Sequence, residues 1–255
     1  MSFNSDTAIR FRMGMQLAID RGNSFTKLSL TQDGIFQKTI ALRDDQLRNE
    51  FAEFLSSRNP EAIIISDVRD HFPFEDYLRN SAAQIVRLST KLILPFRVEY
   101  DTPETLGQDR LANMAGATVE MPGRSVLVID CGTCITYSLL NHGAFIGGSI
   151  APGIGMRYRA LHEFTGMLPL ADTCTHLPEL PGRSTTESIQ SGVQQAVVLE
   201  TDAMIAAYRA RFNDVEVIIT GGDYSFFENN LKSRIFAHPE LTRIGLHEIL
   251  RINRS

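Results

Sequence analysis

The hydrophobic pattern of the chain is organised around an unbroken apolar run at residues 126–129. A run of aliphatic and β-branched residues of this length predicts a strand that is buried on both faces. Directly after this run the sequence becomes polar and glycine-containing, with Asp130, Gly132, Thr133 and Thr136. Glycine allows backbone N–H groups to approach an anion closely, and the hydroxyl groups add further donors.

The same arrangement occurs once more, near the start of the chain. A short apolar run within residues 16–28 leads into Asp20 and Gly22, and three polar residues follow: Asn23, Ser24 and Thr26. The sequence therefore contains two copies of a strand that ends in Asp-x-Gly followed by Asn or Thr. We interpret them as the two parts of a duplicated site for a nucleotide phosphate.

Each copy begins a similar order of predicted elements. Turn residues at 32–34 and 141–143 predict a β-hairpin after each copy, and apolar spacing predicts a helix at 44–57 and another at 110–119. The other predicted strands lie at 61–68, at 81–89, at 94–101 and from residue 215 onward. Two more helices are predicted, one that begins after Pro152-Gly153 and one that spans roughly 186–210. The last element, near 241–250, reads as a helix or a strand. A capping box formed by Ser184 and Glu187 precedes the long helix.

The pattern divides the chain into two α/β halves. The Met-Pro-Gly sequence at 121–123 breaks the helix before it, so we predict an N-terminal half at 15–122 and a C-terminal half at 123–255. Residues 1–14 read as a disordered lead-in, and either Met13 or Met15 could be the true start.

Composition narrows the class of protein. A net charge of −5 over 255 residues, without a long basic run, argues against general nucleic-acid binding. No apolar window reaches the length needed to span a bilayer, and the N-terminus lacks the apolar core of a secretory signal. Three cysteines fit a reducing cytoplasm. Cys131 and Cys134 form a C-x-x-C pair, which could be redox-active or half of a zinc site, but we favour small residues that fill a turn.

The chemistry suggested by the two turns is phosphate and metal binding. An Asp at such a turn can hold Mg²⁺ while N–H and hydroxyl groups bind phosphate oxygens. One Asp-x-Gly sequence after a strand is common in ordinary turns. Two copies, together with Gly221-Gly222-Asp223 after a third buried strand, favour the phosphate site. The sequence has neither a Walker-type G-x-x-x-x-G-K motif nor G-x-G-x-x-G, the signatures of two common nucleotide folds.

A second kind of chemistry is suggested at residues 107–110, Gly-Gln-Asp-Arg. Asp109 could accept the proton of an acceptor hydroxyl, and the Arg110 guanidinium suits a substrate carboxylate. An Asp-Arg sequence at the start of a helix is by itself more often an ordinary charge pair, so both interpretations stay open on the residues alone.

Taken together, these motifs resemble the type III pantothenate kinases over nearly the whole chain from about residue 15. The resemblance rests on D-x-G-N-(T/S)-x-x-K, Y-x-T-P-E-T-L, G-x-D-R, D-x-G-T-x-x-T, G-G-x-I-x-P-G-x(6)-A-L and G-x-x-T. In this sequence these motifs stand, in order, at 20–27, 100–106, 107–110, 130–136, 147–161 and 182–185.

The resemblance implies a duplicated actin-like (ribonuclease H-like) α/β fold with two mixed sheets. It implies transfer of the ATP γ-phosphate to pantothenate, the first step towards coenzyme A, in a cytoplasmic homodimer that uses Mg²⁺ with K⁺ or NH₄⁺. Asp109 would be the general base and Asp130 the ligand of the monovalent cation. Pantothenate would contact Tyr100, Gly107, Gln108, Asp109, Arg110 and Thr185. ATP would contact Asp20, Arg21, Gly22, Asn23, Ser24, Phe25, Thr26, Lys27 and Thr133.

The sequence departs from the family pattern at two positions of the second turn. Cys134 stands where the family often has Ala, and Ser138 stands where it often has Asp. We expect the loss of that carboxylate to alter the metal environment, although Asp20 and Asp130 remain. Two other functions fit the same fold. One is a non-catalytic relative that acts as an accessory or regulatory factor, and the other is a sugar kinase.

Overall fold

The structure is a computed structural model that describes residues 14–56, 58–69 and 74–254. The expected lead-in at 1–14 lies outside these ranges except for Gly14. The described strands are β1 (Met15–Arg21), β2 (Thr26–Gln32), β3 (Ile35–Leu42), β4 (Ala62–Asp67), β5 (Gln84–Arg87), β6 (Arg97–Val98), β7 (Ser125–Cys131), β8 (Cys134–Asn141), β9 (Ala144–Pro152), β10 (Val215–Thr220) and β11 (Phe236–Ala237). The described α-helices are α1 (Asp44–Ser56), α2 (Glu75–Arg79), α3 (Gln108–Glu120), α4 (Ile154–Glu163), α5 (Thr185–Gln190), α6 (Ala196–Arg211), α7 (Tyr224–Asn230) and α8 (Leu241–Ile252).

The first sheet has the strand order β3-β2-β1-β4-β5. The β1–β2–β3 meander is antiparallel, whereas β4 pairs parallel to β1 and β5 pairs parallel to β4. Asp33 and Gly34 both have positive φ at the β2–β3 turn, as a two-residue hairpin loop requires. The continuous apolar run of β4 is completely buried at its first four residues, as expected for a central parallel strand.

The second sheet repeats this order. Its strands run β11-β10-β7-β8-β9-β6, with an antiparallel β7–β8–β9 meander and with β10 parallel to β7. The added strand β6 pairs with the outer edge of β9. His142 and Gly143 have positive φ at the β8–β9 turn. The two mixed sheets confirm the predicted duplication, and the two Asp-x-Gly sequences occupy equivalent places in it.

The chain divides into compact units at a different place from the predicted boundary. One unit comprises the described residues up to 88 together with 253 and 254, and the other comprises residues 89–252. The predicted halves met near residue 122. The difference arises because α3 packs against α8 and against β7 and β8, all of which belong to the second unit. The Met-Pro-Gly sequence at 121–123 is therefore a turn inside one unit.

Two glycines set the close packing of α3 on α8. A Cβ atom on Gly116 would collide with the carbonyl oxygen of Leu241, and one on Gly245 would collide with the carbonyl oxygen of Ala112. Every residue of α3 from Arg110 to Ala117 is buried. The helix is therefore held from several sides, and its first turn is fixed relative to the second sheet.

The predicted long helix is interrupted by a π-helical turn, residues 191–195, between α5 and α6. Ser184 caps α5, and its hydroxyl accepts a hydrogen bond from the Glu187 N–H at 3.2 Å. The Glu187 carboxylate accepts from the Arg183 N–H, one residue before the position that a capping box normally uses. The closing element near 241–250 is the helix α8.

Candidate active site

Asp109 lies in the first turn of α3, the helix that packs against β7 and β8 of the second sheet. Asp109 is partly buried, and its Oδ1 atom accepts the backbone N–H of Arg110 at 2.8 Å. A Cβ atom on Gly107 would lie only 2.5 Å from the same oxygen. A side chain at position 107 would therefore displace the Asp109 carboxylate from its present position.

Arg110 points in the opposite direction, into the sheet, and is only 5% exposed. Its Nε atom donates to the Ser138 hydroxyl at 2.9 Å, and both groups are buried. Its Nη2 atom is buried without a hydrogen-bond partner. Within the second unit, residues 89–252, no carboxylate forms an ion pair with this guanidinium.

Two aromatic rings and a glycine pair enclose the Arg110 guanidinium. Its central carbon lies 5.1 Å from the Phe145 ring centroid and 5.8 Å from that of Tyr100, distances at which a cation interacts with the ring face. A Cβ atom on Gly148 would lie 2.9 Å from Nη2 and would also strike the Tyr137 carbonyl. The guanidinium thus occupies a niche whose size depends on a missing side chain.

Asp130 is the penultimate residue of β7, and hydrogen bonds connect it to α3 and, through α3, to α8. The Asn113 amide donates to Asp130 Oδ2 at 2.8 Å, and the Thr242 hydroxyl donates to Asn113 Oδ1 at 2.7 Å. Asn113 lies one helical turn after Arg110, so the same helix positions both groups. Asn113 and Thr242 were not among the predicted site residues. The one signal for Asn113 is its spacing from the Gly-Gln-Asp-Arg sequence.

The Gly-Gly-Asp sequence after β10 lies against the same strand end. A Cβ atom on Gly221, which has φ +96°, would approach Asp130 Oδ1 to 2.5 Å. The Asp223 N–H donates to the Cys131 carbonyl at 2.9 Å. Burial raises the pKa of the Asp223 carboxyl. Burial, together with the charges of Asp130 and Asp223, also raises the pKa of the Cys131 thiol, which makes this cysteine a poor nucleophile.

Hydroxyl groups flank Asp130 in the strands on either side. Thr220 of β10 and Thr136 of β8 are its direct partners across the sheet, and paired residues project from the same face. The Thr220 hydroxyl is buried without a hydrogen-bond partner. Carboxylate and hydroxyl oxygens therefore surround the end of β7.

The first unit has an equivalent strand end at Asp20. Its cross-strand partners are Lys27 of β2 and Ser66 of β4, and the Ser66 hydroxyl is buried without a hydrogen-bond partner. The Gly22 N–H donates to the Phe25 carbonyl at 3.0 Å and closes the β1–β2 turn. The turn itself exposes its polar residues, Asn23 and Ser24.

Basic residues hold the backbone of this turn. Arg21 forms an ion pair with Asp67 at 3.2 Å, with both side chains about one-tenth exposed. Arg69 donates from Nε to the Gly22 carbonyl at 3.0 Å and from Nη2 to the Asn23 carbonyl at 2.6 Å. Because these carbonyls face Arg69, the turn is fixed with its hydroxyl and amide side chains outward. Arg69 was not predicted, and only the structure reveals its role.

The predicted site residues fall into separate groups. Within the second unit, Tyr100 and Arg110 lie together, and Asp109 and Gly107 adjoin them. Thr133 is exposed at the β7–β8 tip, where its carbonyl accepts the Gly153 N–H. Thr185 is exposed at the start of α5, and no hydrogen bond in the described part of the chain joins it to the Arg110 group.

The described ranges give no sign of the zinc alternative for the C-x-x-C pair. No group of three or more His, Cys, Asp or Glu residues in them could hold a metal ion, and the three cysteines are not in disulfides. Among the described helices, none has the length and hydropathy that crossing a membrane requires.

Comparison with solved structures identifies the fold. A protein from Campylobacter jejuni described as a Baf family transcriptional activator has a TM-score of 0.61 at 20% identity, covering 93% of this chain and 98% of the other. A ROK family glucokinase from Streptomyces griseus has a TM-score of 0.51 at 11% identity, with coverage of 93% and 98%. The predicted actin-like α/β fold is confirmed. At these identities the likeness extends to the fold alone.

Sequence comparison is more specific. The sequence model of type III pantothenate kinases matches residues 16–207. A type III pantothenate kinase from Christiangramia forsetii is 38% identical over 246 residues, which cover 94% of this chain and all of the relative. One from Cytophaga hutchinsonii is 39% identical over 242 residues, with the same coverage. This chain belongs to the type III pantothenate kinase family.

Proposed function

We propose that the protein transfers the γ-phosphate of ATP to the hydroxyl of pantothenate, the first step of coenzyme A synthesis. The family assignment supports this reaction class. The observation that carries the proposal for the site is Arg110, a buried guanidinium with an unpaired Nη2 atom that directly follows the partly exposed Asp109 in the sequence. A buried charge without a partner is costly unless a ligand pairs with it.

Arg110 and Asp109 suit the two ends of the acceptor. Pantothenate carries a carboxylate at one end and a primary hydroxyl at the other, and the Arg110 fork can pair with the carboxylate. Asp109, as general base, removes the hydroxyl proton while the oxygen attacks the γ-phosphorus, and the bond from that phosphorus to the β,γ-bridging oxygen breaks to release ADP. Tyr100, Gly107 and Gln108 line the acceptor site, and Thr185 contributes a hydroxyl.

The ATP phosphates are proposed to bind at the Asp-x-Gly turns. In the first unit residues 20–27 supply backbone N–H groups, the hydroxyls of Ser24 and Thr26, and the Lys27 ammonium, with Asp20 orienting the Mg²⁺ that accompanies ATP. In the second unit Thr133, exposed at the β7–β8 tip, supplies a further hydroxyl.

A monovalent cation, K⁺ or NH₄⁺, is proposed to bind at Asp130. The residues present fit it, because the group around Asp130 offers oxygen ligands and includes the unpartnered Thr220 hydroxyl. A bound cation would supply positive charge near the phosphate oxygens. Asn113 holds the carboxylate in place through Oδ2.

We further propose a cytoplasmic homodimer. A reducing compartment agrees with the absence of disulfides among the three cysteines of the chain. Among the described residues, no hydrogen bond joins the exposed Thr185 to the acceptor site of its own chain. In a dimer, Thr185 would instead line the acceptor site of the second copy.

The direct test is ADP release by the purified protein with Mg²⁺, K⁺ and ATP, with and without pantothenate. We expect release that depends on pantothenate and does not appear with glucose. Release with glucose would indicate a sugar kinase. ATP binding without release for any acceptor would favour the non-catalytic accessory function.

A further inference from the structure

We propose that Thr242 is a positioning residue for the monovalent cation and acts through Asn113 on the Asp130 carboxylate. This inference rests on the proposed cation site and deepens it, because it names the group that fixes the main ligand. The observation behind it is a relay of two short hydrogen bonds. The Thr242 hydroxyl donates to Asn113 Oδ1 at 2.7 Å, and the Asn113 amide donates to Asp130 Oδ2 at 2.8 Å.

The hydroxyl of Thr242 fixes the direction in which the Asn113 side chain points. Asn113 is only 1% exposed, and a side-chain amide has one acceptor oxygen and one NH₂ donor group. Because the oxygen accepts from Thr242, the NH₂ group is directed at Asp130. Without that hydroxyl, Oδ1 would be buried and unpaired, which is costly, and the Asn113 side chain would turn towards another donor.

The other oxygen of the Asp130 carboxylate lies in a confined space. A Cβ atom on Gly221, which has φ +96°, would lie 2.5 Å from Oδ1. The carboxylate is therefore bonded at Oδ2 and closely approached by backbone at Oδ1. A ligand that is already ordered loses little side-chain freedom when the cation binds. The relay thus prepares Asp130 for the cation before the cation arrives.

The packing of α8 on α3 places the Thr242 hydroxyl. The preceding residue, Leu241, is fully buried, and its carbonyl oxygen stands where a Cβ atom on Gly116 would lie. Asn113 comes three residues before Gly116, so both lie on the same face of α3. The first turn of α8 therefore rests directly on the part of α3 that carries Asn113.

Melting temperature as a function of K⁺ concentration tests the relay without turnover. Choline keeps the ionic strength constant, and Mg²⁺ with a non-hydrolysable ATP analogue is present throughout. The melting temperature of the wild type should rise as K⁺ binds, and that of Asp130→Asn should not. Thr242→Val keeps the shape of the side chain without its hydroxyl. Its half-saturating K⁺ concentration should be about fivefold higher, the change that one ordinary hydrogen bond supplies.

Two control variants separate positioning from simple structural support. Thr242→Ser retains the hydroxyl and should keep the half-saturating K⁺ concentration of the wild type, even at a lower melting temperature. Thr118→Val removes another hydroxyl of the second unit, one that donates to the Ala115 carbonyl at 2.7 Å instead of to Asn113. This variant should also keep the wild-type K⁺ concentration. A merely structural role for Thr242 would lower the melting temperature of Thr242→Val without changing its K⁺ dependence.

The inference is overturned if Thr242→Val has the half-saturating K⁺ concentration of the wild type, or if Thr242→Ser raises it as much as Thr242→Val does. If Thr242→Val does not fold, Thr242→Ala replaces it in the same comparison. A wild type whose melting temperature does not respond to K⁺ would reject the cation site together with the inference. Failure of the proposed kinase reaction is a separate result, namely no pantothenate-dependent ADP release by a protein whose melting still responds to K⁺.

Discussion

Arg110 is a charged side chain that the fold buries without an ion-pair partner inside its unit. Removing a guanidinium from water costs several kcal/mol unless other contacts offset the cost. The faces of Phe145 and Tyr100 and the hydroxyl of Ser138 offset part of it. The Nη2 atom remains without a hydrogen-bond acceptor, and an anionic ligand would supply one. Binding of that ligand should stabilise the folded protein.

Asp109→Asn should lower turnover by about 10²- to 10⁴-fold, because an amide cannot accept the proton of the acceptor hydroxyl. The Kd for ATP should stay the same, since the substitution is isosteric and the proposed ATP contacts lie elsewhere. Steady-state ADP release and nucleotide titration measure the two quantities.

Asp101→Asn is the matched control for that variant. Asp101 is an exposed carboxylate shortly before α3, and its loss should leave turnover unchanged. Turnover of Asp109→Asn at the wild-type level would remove Asp109 from the mechanism.

At the scale of elements, α3 connects the two parts of the second-unit site. Its first turn carries Asp109 and Arg110, and its next turn carries Asn113, which holds Asp130. Packing of α8 through Gly116 and Gly245 fixes the position of α3. A disturbance at the α3–α8 contact should therefore affect both the acceptor site and the strand end.

Gly245→Ala should lower the free energy of unfolding by about 1–3 kcal/mol, because the new methyl group collides with the Ala112 carbonyl and forces the helices apart. Gly155→Ala, also in a helix, meets no atom within 4 Å and should be neutral or stabilising by up to about 1 kcal/mol. Urea unfolding of both variants measures the difference. If Gly245→Ala had the same free energy of unfolding as the wild type, α8 could shift away from α3 without loss of stability.

A second element-scale contact predicts a pH dependence. Asp202 of α6 accepts the backbone N–H groups of Lys232 and Ser233 at 3.1 and 2.9 Å. Partial burial by itself raises the pKa of Asp202, but the hydrogen bonds from Ser233 and Lys232 outweigh burial and lower the pKa overall. Because the folded pKa lies below the unfolded one, this carboxylate stabilises the fold at neutral pH, and the stabilisation is lost as pH falls through the folded pKa.

Asp202→Asn should therefore lower the free energy of unfolding at pH 7 by about 1 kcal/mol, and the difference from wild type should shrink as pH falls below about 4. Glu163→Gln removes an exposed carboxylate that has no hydrogen bond in the described ranges and should show no such trend. Denaturant unfolding across pH provides the measurement. If the difference in free energy of unfolding between Asp202→Asn and the wild type stayed constant with pH, ionisation of Asp202 would not be its cause.

At the scale of the whole molecule, the chain consists of two units with the same sheet order, each with an Asp at the end of its central strand. The proposed homodimer with shared sites makes a prediction that needs no knowledge of the interface. Equal mixing of Asp109→Asn subunits with Thr185→Ala subunits should raise the activity at subsaturating pantothenate above the mean of the two variants, since half of the dimers would contain one intact site of two.

Mixing after partial unfolding and refolding allows subunits to exchange, and each variant refolded alone is the control. If each site were built from one chain only, the mixed sample would show no more activity than the two variants separately. A monomeric mass near 28.5 kDa in solution would contradict the dimer directly.

The sequence by itself determined the elements whose pattern is local. The spacing of hydrophobic residues located the buried strands and most of the helices. Turn-forming residues located the hairpins at Asp33-Gly34 and His142-Gly143. Repeated Asp-x-Gly sequences revealed the duplication. Motif order pointed to the family, because several modest motifs in a fixed order rarely occur together by chance.

Only the tertiary structure decided which residues share a site and where the units divide. The bonds of Arg110 to Ser138 and of Asn113 to Asp130 and Thr242 join residues distant in sequence, so no local pattern encodes them. The division at residue 88 depends on α3 packing against α8, which lies more than a hundred residues later in the chain. Local patterns specify backbone conformation, whereas burial of a charge and the space left by a missing Cβ exist only after distant segments have packed.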